Sequence, residues 1–307
     1  MITKKKTDND MKSNKCDLLP VNLPEEWSCS NAKGPGPFVT KAVLKNAEGE
    51  SVPWISRNQR KHHFRLDRSK GSTWWAPGAI GWWIGILFSI GATCFAVGTI
   101  PSYLTAVGNT YDGLTFFIGS IFFTSAAFLQ YLEATNMPHK PLNIKSKEKF
   151  RFLAWTPKRI GWLAAAVQFI GTLFFNLNTF NALHSDLSIS QLTNLVWFPD
   201  AYGSICFLIA GSLAWMEVSH ALWSWNPRSF SWGIGALNLI GSIFFGISAV
   251  GAFVLPDTGL PLNIFLVNMG TFAGAVCFLA AAVLLLPERV QETIKDQQVV
   301  TQNQILN

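Results

Sequence analysis

Six apolar stretches, each long enough to cross a hydrocarbon core about 30 Å thick, leave this chain few folds to choose from. They run approximately Ala79–Ile100, Leu114–Leu132, Ile160–Phe180, Ala201–Val218, Trp232–Leu255 and Ile264–Leu286. An unpaired backbone amide or carbonyl in lipid costs several kcal/mol, so each stretch is expected to be a helix that satisfies its own backbone. Composition points the same way. Hydrophobic residues make up 49% of the chain and charged residues only 14%, against about 25% charged in soluble domains. A disordered chain, a collagen-like chain, a disulfide scaffold and an ordinary soluble domain are all excluded.

Charge is partitioned along the chain. Residues 1–70 hold 14 Lys/Arg and 8 Asp/Glu and the remainder ten of each, so the whole net charge of +6 belongs to the N-terminal segment. The connections after spans 1, 3 and 5 contain no Lys or Arg and carry Asp112, Asp186, Asp200 and Asp257, whereas the other connections are basic. This bias predicts that both termini lie in the cytosol. Lys4-Lys5-Lys6 is followed by no apolar region, so no signal peptide is expected. Cys94, Cys206 and Cys277 fall in apolar runs and Cys16 and Cys29 in a polar segment on the cytosolic side. Disulfides are not expected there, and the spacing is too sparse for a metal site.

Within the spans the chain resembles itself three times. Trp75-Ala-Pro77, Trp155-Thr-Pro157 and Trp225-Asn-Pro227 each open a W-x-P-x-x-[IF]-[GS]-W pattern at the start of an odd-numbered span. Nine residues beyond the second Trp stand Gly91, Gly171 and Gly241, followed by Phe95, Phe175 and Phe245. The even spans carry Gly119-Ser-Ile-Phe-Phe123, Gly203-Ser-Ile-Cys-Phe207 and Gly274-Ala-Val-Cys-Phe278, each followed by a carboxylate: Glu133, Glu217 and Glu288. The expected fold is therefore an all-α membrane protein of six transmembrane helices, built as three parallel two-helix hairpins. Hairpin 1 takes residues 71–138, hairpin 2 residues 139–222 and hairpin 3 residues 223–288. A basic cytosolic segment (1–70) and a polar tail (289–307) flank them. Residues 1–35 read as disordered, while Phe38–Leu44 and Ser51–Ile55 read as a small hairpin.

At about 100° per residue, Gly, Phe and Glu share one face of each even span, and the second Trp of each motif points away from the Gly face of its odd span. Small residues permit close helix approach in lipid, so the Gly face is the packed one and Trp82, Trp162 and Trp232 are expected at the headgroups. The three carboxylates sit at helix C-termini, an unfavourable place for an anion. They are expected either to pair with Arg159 and Arg228, fixing neighbouring hairpins, or to ring the entrance of an ion or solute pathway. Gln168 and Asn238, at equivalent mid-span positions, read as interhelical bridges or as a solute site. The basic run Arg57–Lys70, which contains His62 and His63, suits topology and anionic lipid. It has no stacking or groove-reading motif beside it, so nucleic acid is not expected. Zinc-protease, phosphate-loop and dinucleotide motifs are absent, and no catalytic activity, cofactor or metal is expected.

The repeated hairpin, with Phe88–Phe95, Ile170-Gly171, Ile240-Gly241 and Gly119–Phe123, resembles the YrhK-like family of bacterial membrane proteins, which are built on a short two-span hairpin. The resemblance covers the six spans and not residues 1–70. It implies a multi-pass protein of a bacterial inner membrane and transfers no site residue; the lipid bilayer is the expected partner, and the sequence leaves room for an oligomer. A structural, sensory or assembly role is the first expectation and transport of a small solute or ion the alternative.

Overall fold

The computed structural model describes residues 15–61, 74–141, 144 and 149–305, with side chains up to residue 288. An N-terminal module comes first: strands β1 (Ser28–Lys33), β2 (Lys41–Lys45) and β3 (Ser51–Ile55) form an antiparallel sheet in that order, and β3 runs directly into a short helix, α1 (Ser56–Lys61). The β2–β3 turn is the expected one. Asn46 Oδ1 accepts from the amides of Glu48 and Glu50, and Gly49 supplies the positive φ of 81°. Residues 15–35, expected to be disordered, instead add β1 and a Cys16–Cys29 disulfide with Cα atoms 5.8 Å apart. The reason is a core that the sequence pattern does not advertise. Val21, Ala32, Val39, Leu44 and Trp54 close around Met137, which enters from the connection after the second span.

Six helices are long and apolar enough to cross a membrane: α2 (Ile80–Gly98), α3 (Pro101–Thr135), α4 (Ile160–Asn181), α5 (Ile189–Ser219), α6 (Phe230–Gly251) and α7, whose apolar part is Ile264–Glu288 and whose backbone stays helical to Ile305. Two begin earlier than expected. Pro101 occupies the first turn of α3, where its missing amide hydrogen costs nothing, and Gly108, at φ 79°, breaks the helix before its apolar part. In α5, Ser188 and Gln191 form a capping box and a π-helical turn spans Leu192–Trp197. Amides of Asn178 and Asn181 on α4 bond the carbonyls of Val196 and Leu195, each at 2.9 Å.

Each helix packs on its chain neighbours, and α7 returns to α2, closing a ring. Within α2/α3, α4/α5 and α6/α7 the helices touch through paired glycines: Gly91 with Gly119, Gly171 with Gly203, Gly241 with Gly274. A Cβ added to any of these six would lie 2.9–3.2 Å from its partner's carbonyl oxygen. The glycine face is thus the packed face. Phe95, Phe123, Phe175, Phe207, Phe245 and Phe278, one per helix, meet on the axis with neighbouring ring centroids 5.1–6.3 Å apart. Isoleucines such as Ile90, Ile121, Ile170, Ile205, Ile240 and Ile243 face outward, as a lipid-facing surface requires.

The W-x-P motif is a turn. The amides of Ala79, Arg159 and Ser229 bond the carbonyls of Ala76, Thr156 and Asn226 at 2.9–3.0 Å, placing Pro second in the turn, where its fixed φ is favourable. The two tryptophans of each motif pack edge to face at 5.1, 5.3 and 5.2 Å. Trp162 departs from the expected headgroup position. It is buried against Tyr131, and its indole donates to Thr135 Oγ1 at 3.2 Å.

Candidate functional site

Glu133, Glu217 and Glu288 end the second, fourth and sixth spans, and all three are buried, at 4%, 1% and 0% exposure. Buried carboxylates need partners, and the sequence expectation supplied Arg159 and Arg228. The structure corrects this. The Arg159 guanidinium donates to the carbonyls of Met137 (2.7 Å), Pro138 and Pro20, clamping the connection after α3 to the N-terminal module. Arg228 is exposed, and none of the described ion pairs of the three carboxylates involves either arginine.

The cations come from α1. Arg57, Arg60 and Lys61 stand at i, i+3 and i+4, which puts them on one helical face. β3 aims that face into the mouth of the ring, and the Ser56 amide bonds the Thr40 carbonyl at 2.9 Å, fixing the junction. Arg57 grips Glu288 with two bonds, Nε to Oε1 at 2.7 Å and Nη2 to Oε2 at 3.2 Å, and Lys61 adds a third to the same carboxylate. Arg60 reaches Glu217 at 3.1 Å and lies 3.8 Å from Glu133; the Ser56 hydroxyl donates to Glu217 at 2.8 Å. Three carboxylates thus face three cations. Glu133 and Glu217 lie in the last turns of their helices, where the dipole disfavours negative charge. Glu288, expected at a helix C-terminus, instead lies within α7, which stays helical to Ile305.

This arrangement explains the [GS] position of the repeated motif. Ser231 Oγ donates to Glu288 at 2.7 Å. A Cβ on Gly161 would fall 2.6 Å from Glu217 Oε1 and would also collide with the Arg60 guanidinium. In the second hairpin the small residue makes room for the carboxylate and for the cation that meets it, and in the third its hydroxyl holds the carboxylate.

Below α1 lies a cavity of about 60 Å³, room for roughly four waters at ~15 Å³ each. Glu133, Glu217, Gln130, Gln168, Asn238 and Ser242 give it polar walls. Arg57, Arg60 and Lys61 close one end, and Phe207 and Phe278 of the axial cluster floor the other. Gln168 lines the cavity and accepts from Gln130 Nε2 of the neighbouring helix at 3.2 Å. Asn238 lines the cavity too, its backbone carbonyl taken by the Ser242 hydroxyl at 2.8 Å. Among the described residues no group of three His, Cys, Asp or Glu side chains is close enough to hold a metal ion.

Sequence reasoning missed Ser56, Arg57, Arg60 and Lys61 as partners of the carboxylates. It assigned the basic run to lipid, yet Arg57 and Arg60 are buried, at 8% and 5% exposure. Residues 62–70, with His62 and His63, lie outside the described residues. The overlooked signal was the i, i+3, i+4 spacing of three cations facing three uncompensated carboxylates.

The module is held from a second side by His220. It caps α5 in the left-handed conformation (φ 53°), and its Nδ1 lies 3.0 Å from Thr40 Oγ1. Burial, with Lys41 nearby, holds this imidazole below its ordinary pKa, and Glu217 only partly opposes the shift. The chain matches no family model, no curated protein and no solved structure.

Proposed function

We propose that this is a non-enzymatic integral membrane protein in which the helical ring holds a chamber for a small cation and the N-terminal module is the latch that keeps it shut. One observation carries the reading: three buried carboxylates are neutralised by cations from a separate module, and two of them, Glu133 and Glu217, line a polar cavity together with those cations. A permanent structural plug could be made of apolar residues at less cost, because desolvating six charges is expensive even when they pair. Exchangeable cations are what a gate needs. With α1 withdrawn, the carboxylates and the amide oxygens of Gln130, Gln168 and Asn238 offer the donor set that a dehydrating cation requires.

The reading also takes the three hairpins to be copies of one ancestral pair, threaded in the same sense, as the recurring glycine pairs, tryptophan pairs and carboxylates support. The resemblance to YrhK-like proteins fits it, with a bacterial inner membrane as the setting. Charge bias argues that the module faces the cytosol. In that reducing compartment the Cys16–Cys29 bond would form only under oxidising conditions.

The test is cation flux into proteoliposomes by the full chain and by an Arg57→Ser/Arg60→Ser/Lys61→Ser variant. The latch variant should conduct, and adding Glu133→Gln and Glu217→Gln should abolish that flux. Silence from every variant overturns the proposal. It would favour a structural or sensory role, which the six-phenylalanine closure of the axis supports.

A further inference from the structure

The module is fastened to the ring by α1, by Thr40 against His220, and by the segment that precedes β1. In that segment the Asn22 amide donates to the His139 carbonyl at 2.6 Å, the Pro20 carbonyl accepts from Arg159 at 3.3 Å, and Val21 shares the module's core with Met137. Residues 17–27 belong to no strand or helix, so the ladder of the sheet does not hold them. Their ties to the sheet are the packing of Leu19, Val21 and Leu23, a bond from Lys15 to the Gly34 carbonyl, and the Cys16–Cys29 disulfide. Cys29 stands opposite Leu44 on β2, and Leu44 stands opposite Val52 on β3, the strand that runs into α1. The disulfide therefore joins the segment that grips the connection after α3 to the sheet that carries the latch.

Charge bias argues that the module faces the cytosol, where a disulfide is more often a transient, redox-sensing bond than a structural one. We propose that Cys16 and Cys29 form a reversible oxidation site whose state sets how firmly the latch is held; this step rests on the function proposed above. Both residues are half-buried, at the edge of the module's core and not inside it. The co-reactant is a low-molecular-weight disulfide. One cysteine thiolate attacks a sulfur of that molecule and expels one of its thiolates, and the second cysteine thiolate attacks the mixed disulfide and expels the other. One S–S bond breaks and one forms. The protein pair loses two electrons, the small disulfide is reduced to two thiols, and the two cysteine protons end on those thiols. Excess small thiol reverses both steps. In the oxidised protein the segment, the sheet and α1 leave the ring only as one unit, so all three attachments must break together. In the reduced protein the sheet and α1 can detach while Pro20 and Asn22 stay on the connection after α3.

The experiment places the full chain in proteoliposomes and titrates the ratio of glutathione to glutathione disulfide. Thiol alkylation, hydrogen exchange of residues 51–61 and cation flux are read on the same samples. Exchange and flux should both rise at least tenfold from the oxidised to the reduced protein, at the ratio where Cys16 and Cys29 become alkylated. Cys16→Ser/Cys29→Ser should behave as reduced at every ratio. Cys94→Ser/Cys206→Ser/Cys277→Ser, which removes only the free cysteines of the spans, should keep the response. In growing cells the pair should be alkylated as thiols and become protected after treatment with diamide. A pair already oxidised in untreated cells overturns the proposal. So does exchange in 51–61 that ignores the glutathione ratio, or that still follows it in Cys16→Ser/Cys29→Ser. If exchange follows the ratio but neither the wild type nor Arg57→Ser/Arg60→Ser/Lys61→Ser passes cations, the oxidation site stands and the chamber reading falls. If that latch variant conducts while wild-type exchange is indifferent to the ratio, the chamber stands and the oxidation site falls.

Discussion

Replacing Glu288 by Gln is the sharpest probe of the ion-pair lock. Glu288 is fully buried and accepts from Arg57 twice, from Lys61 and from Ser231. Removing one partner of a buried ion pair costs ~3–5 kcal/mol, because the other charge is left desolvated. Here two cations lose the same carboxylate at once. They have an escape, however: α1 can leave the ring and return both charges to water. The cost should therefore appear as release of the module and not as unfolding of the helices. At 1.36 kcal/mol per decade, exchange of amides protected by docking should accelerate about 150- to 5,000-fold in residues 51–61, while the amides of α4 around Gly171 stay slow. Gln keeps one acceptor oxygen, so the lower half of that range is expected. A triple variant, Arg57→Met/Lys61→Met/Glu288→Met, should recover most of the protection, since well-packed apolar groups replace buried ion pairs at little cost. Acceleration under threefold in 51–61 would refute the reasoning. So would equal acceleration throughout α7, which would make Glu288 a residue of helix packing instead of docking.

Other consequences can be checked as directly. Gly171→Ala would place a methyl 2.8 Å from Cys206 Cβ and 3.2 Å from the Gly203 carbonyl oxygen; overpacking of this kind costs ~1–3 kcal/mol, measurable by denaturant titration in mixed micelles. Because the docked His220 imidazole binds its proton less readily than the released one, docking should be at full strength above pH 6.5 and should weaken as the pH falls through the lowered value in the docked state. Proteolysis of the module against pH should show this, and His220→Asn should flatten the profile. Breaking Cys16–Cys29, which are 13 residues apart, should destabilise the module by ~2–4 kcal/mol. Its melting transition should then shift with dithiothreitol while that of the helical ring does not.

The membrane part was readable from sequence because lipid leaves so few options. Backbone satisfaction forces helices, and glycines at a repeated offset mark the faces that touch. Gly91, Gly171, Gly241 and their partners pack as that logic requires. The axial phenylalanines follow, since each lies one turn beyond its glycine. Trp162 escaped the logic because a tryptophan at the interface can turn inward once a hydroxyl such as Thr135 Oγ1 is within reach of its indole. The N-terminal module was hidden for another reason. Its core is completed by Met137, about a hundred residues away in sequence, and a small sheet that borrows a core residue shows little hydrophobic patterning of its own. The compensation of the carboxylates was expected from the repeats themselves, but the partners came from the one segment that is not repeated.

That mismatch in symmetry has a physical cost. Three equivalent carboxylates face a single short helix, which cannot serve them equally. Glu288 receives Arg57, Lys61 and Ser231, and Glu217 receives Arg60 and Ser56, while the described ion pair of Glu133 is a 3.8 Å approach by the Nε side of Arg60. The first hairpin, moreover, has Gly81 where the third has the hydroxyl of Ser231, and a Cβ there would still stand 4.0 Å from Glu133 Oε1. Among the described residues Glu133 is consequently the least compensated of the three, and it lines the cavity with Gln130. If a cation displaces the latch stepwise, Coulomb attraction falls off with distance, so the longest pair opens first. Entry should begin at Glu133 and release of α1 should end at Glu288, giving Glu133→Gln its main effect on access and Glu288→Gln its main effect on docking.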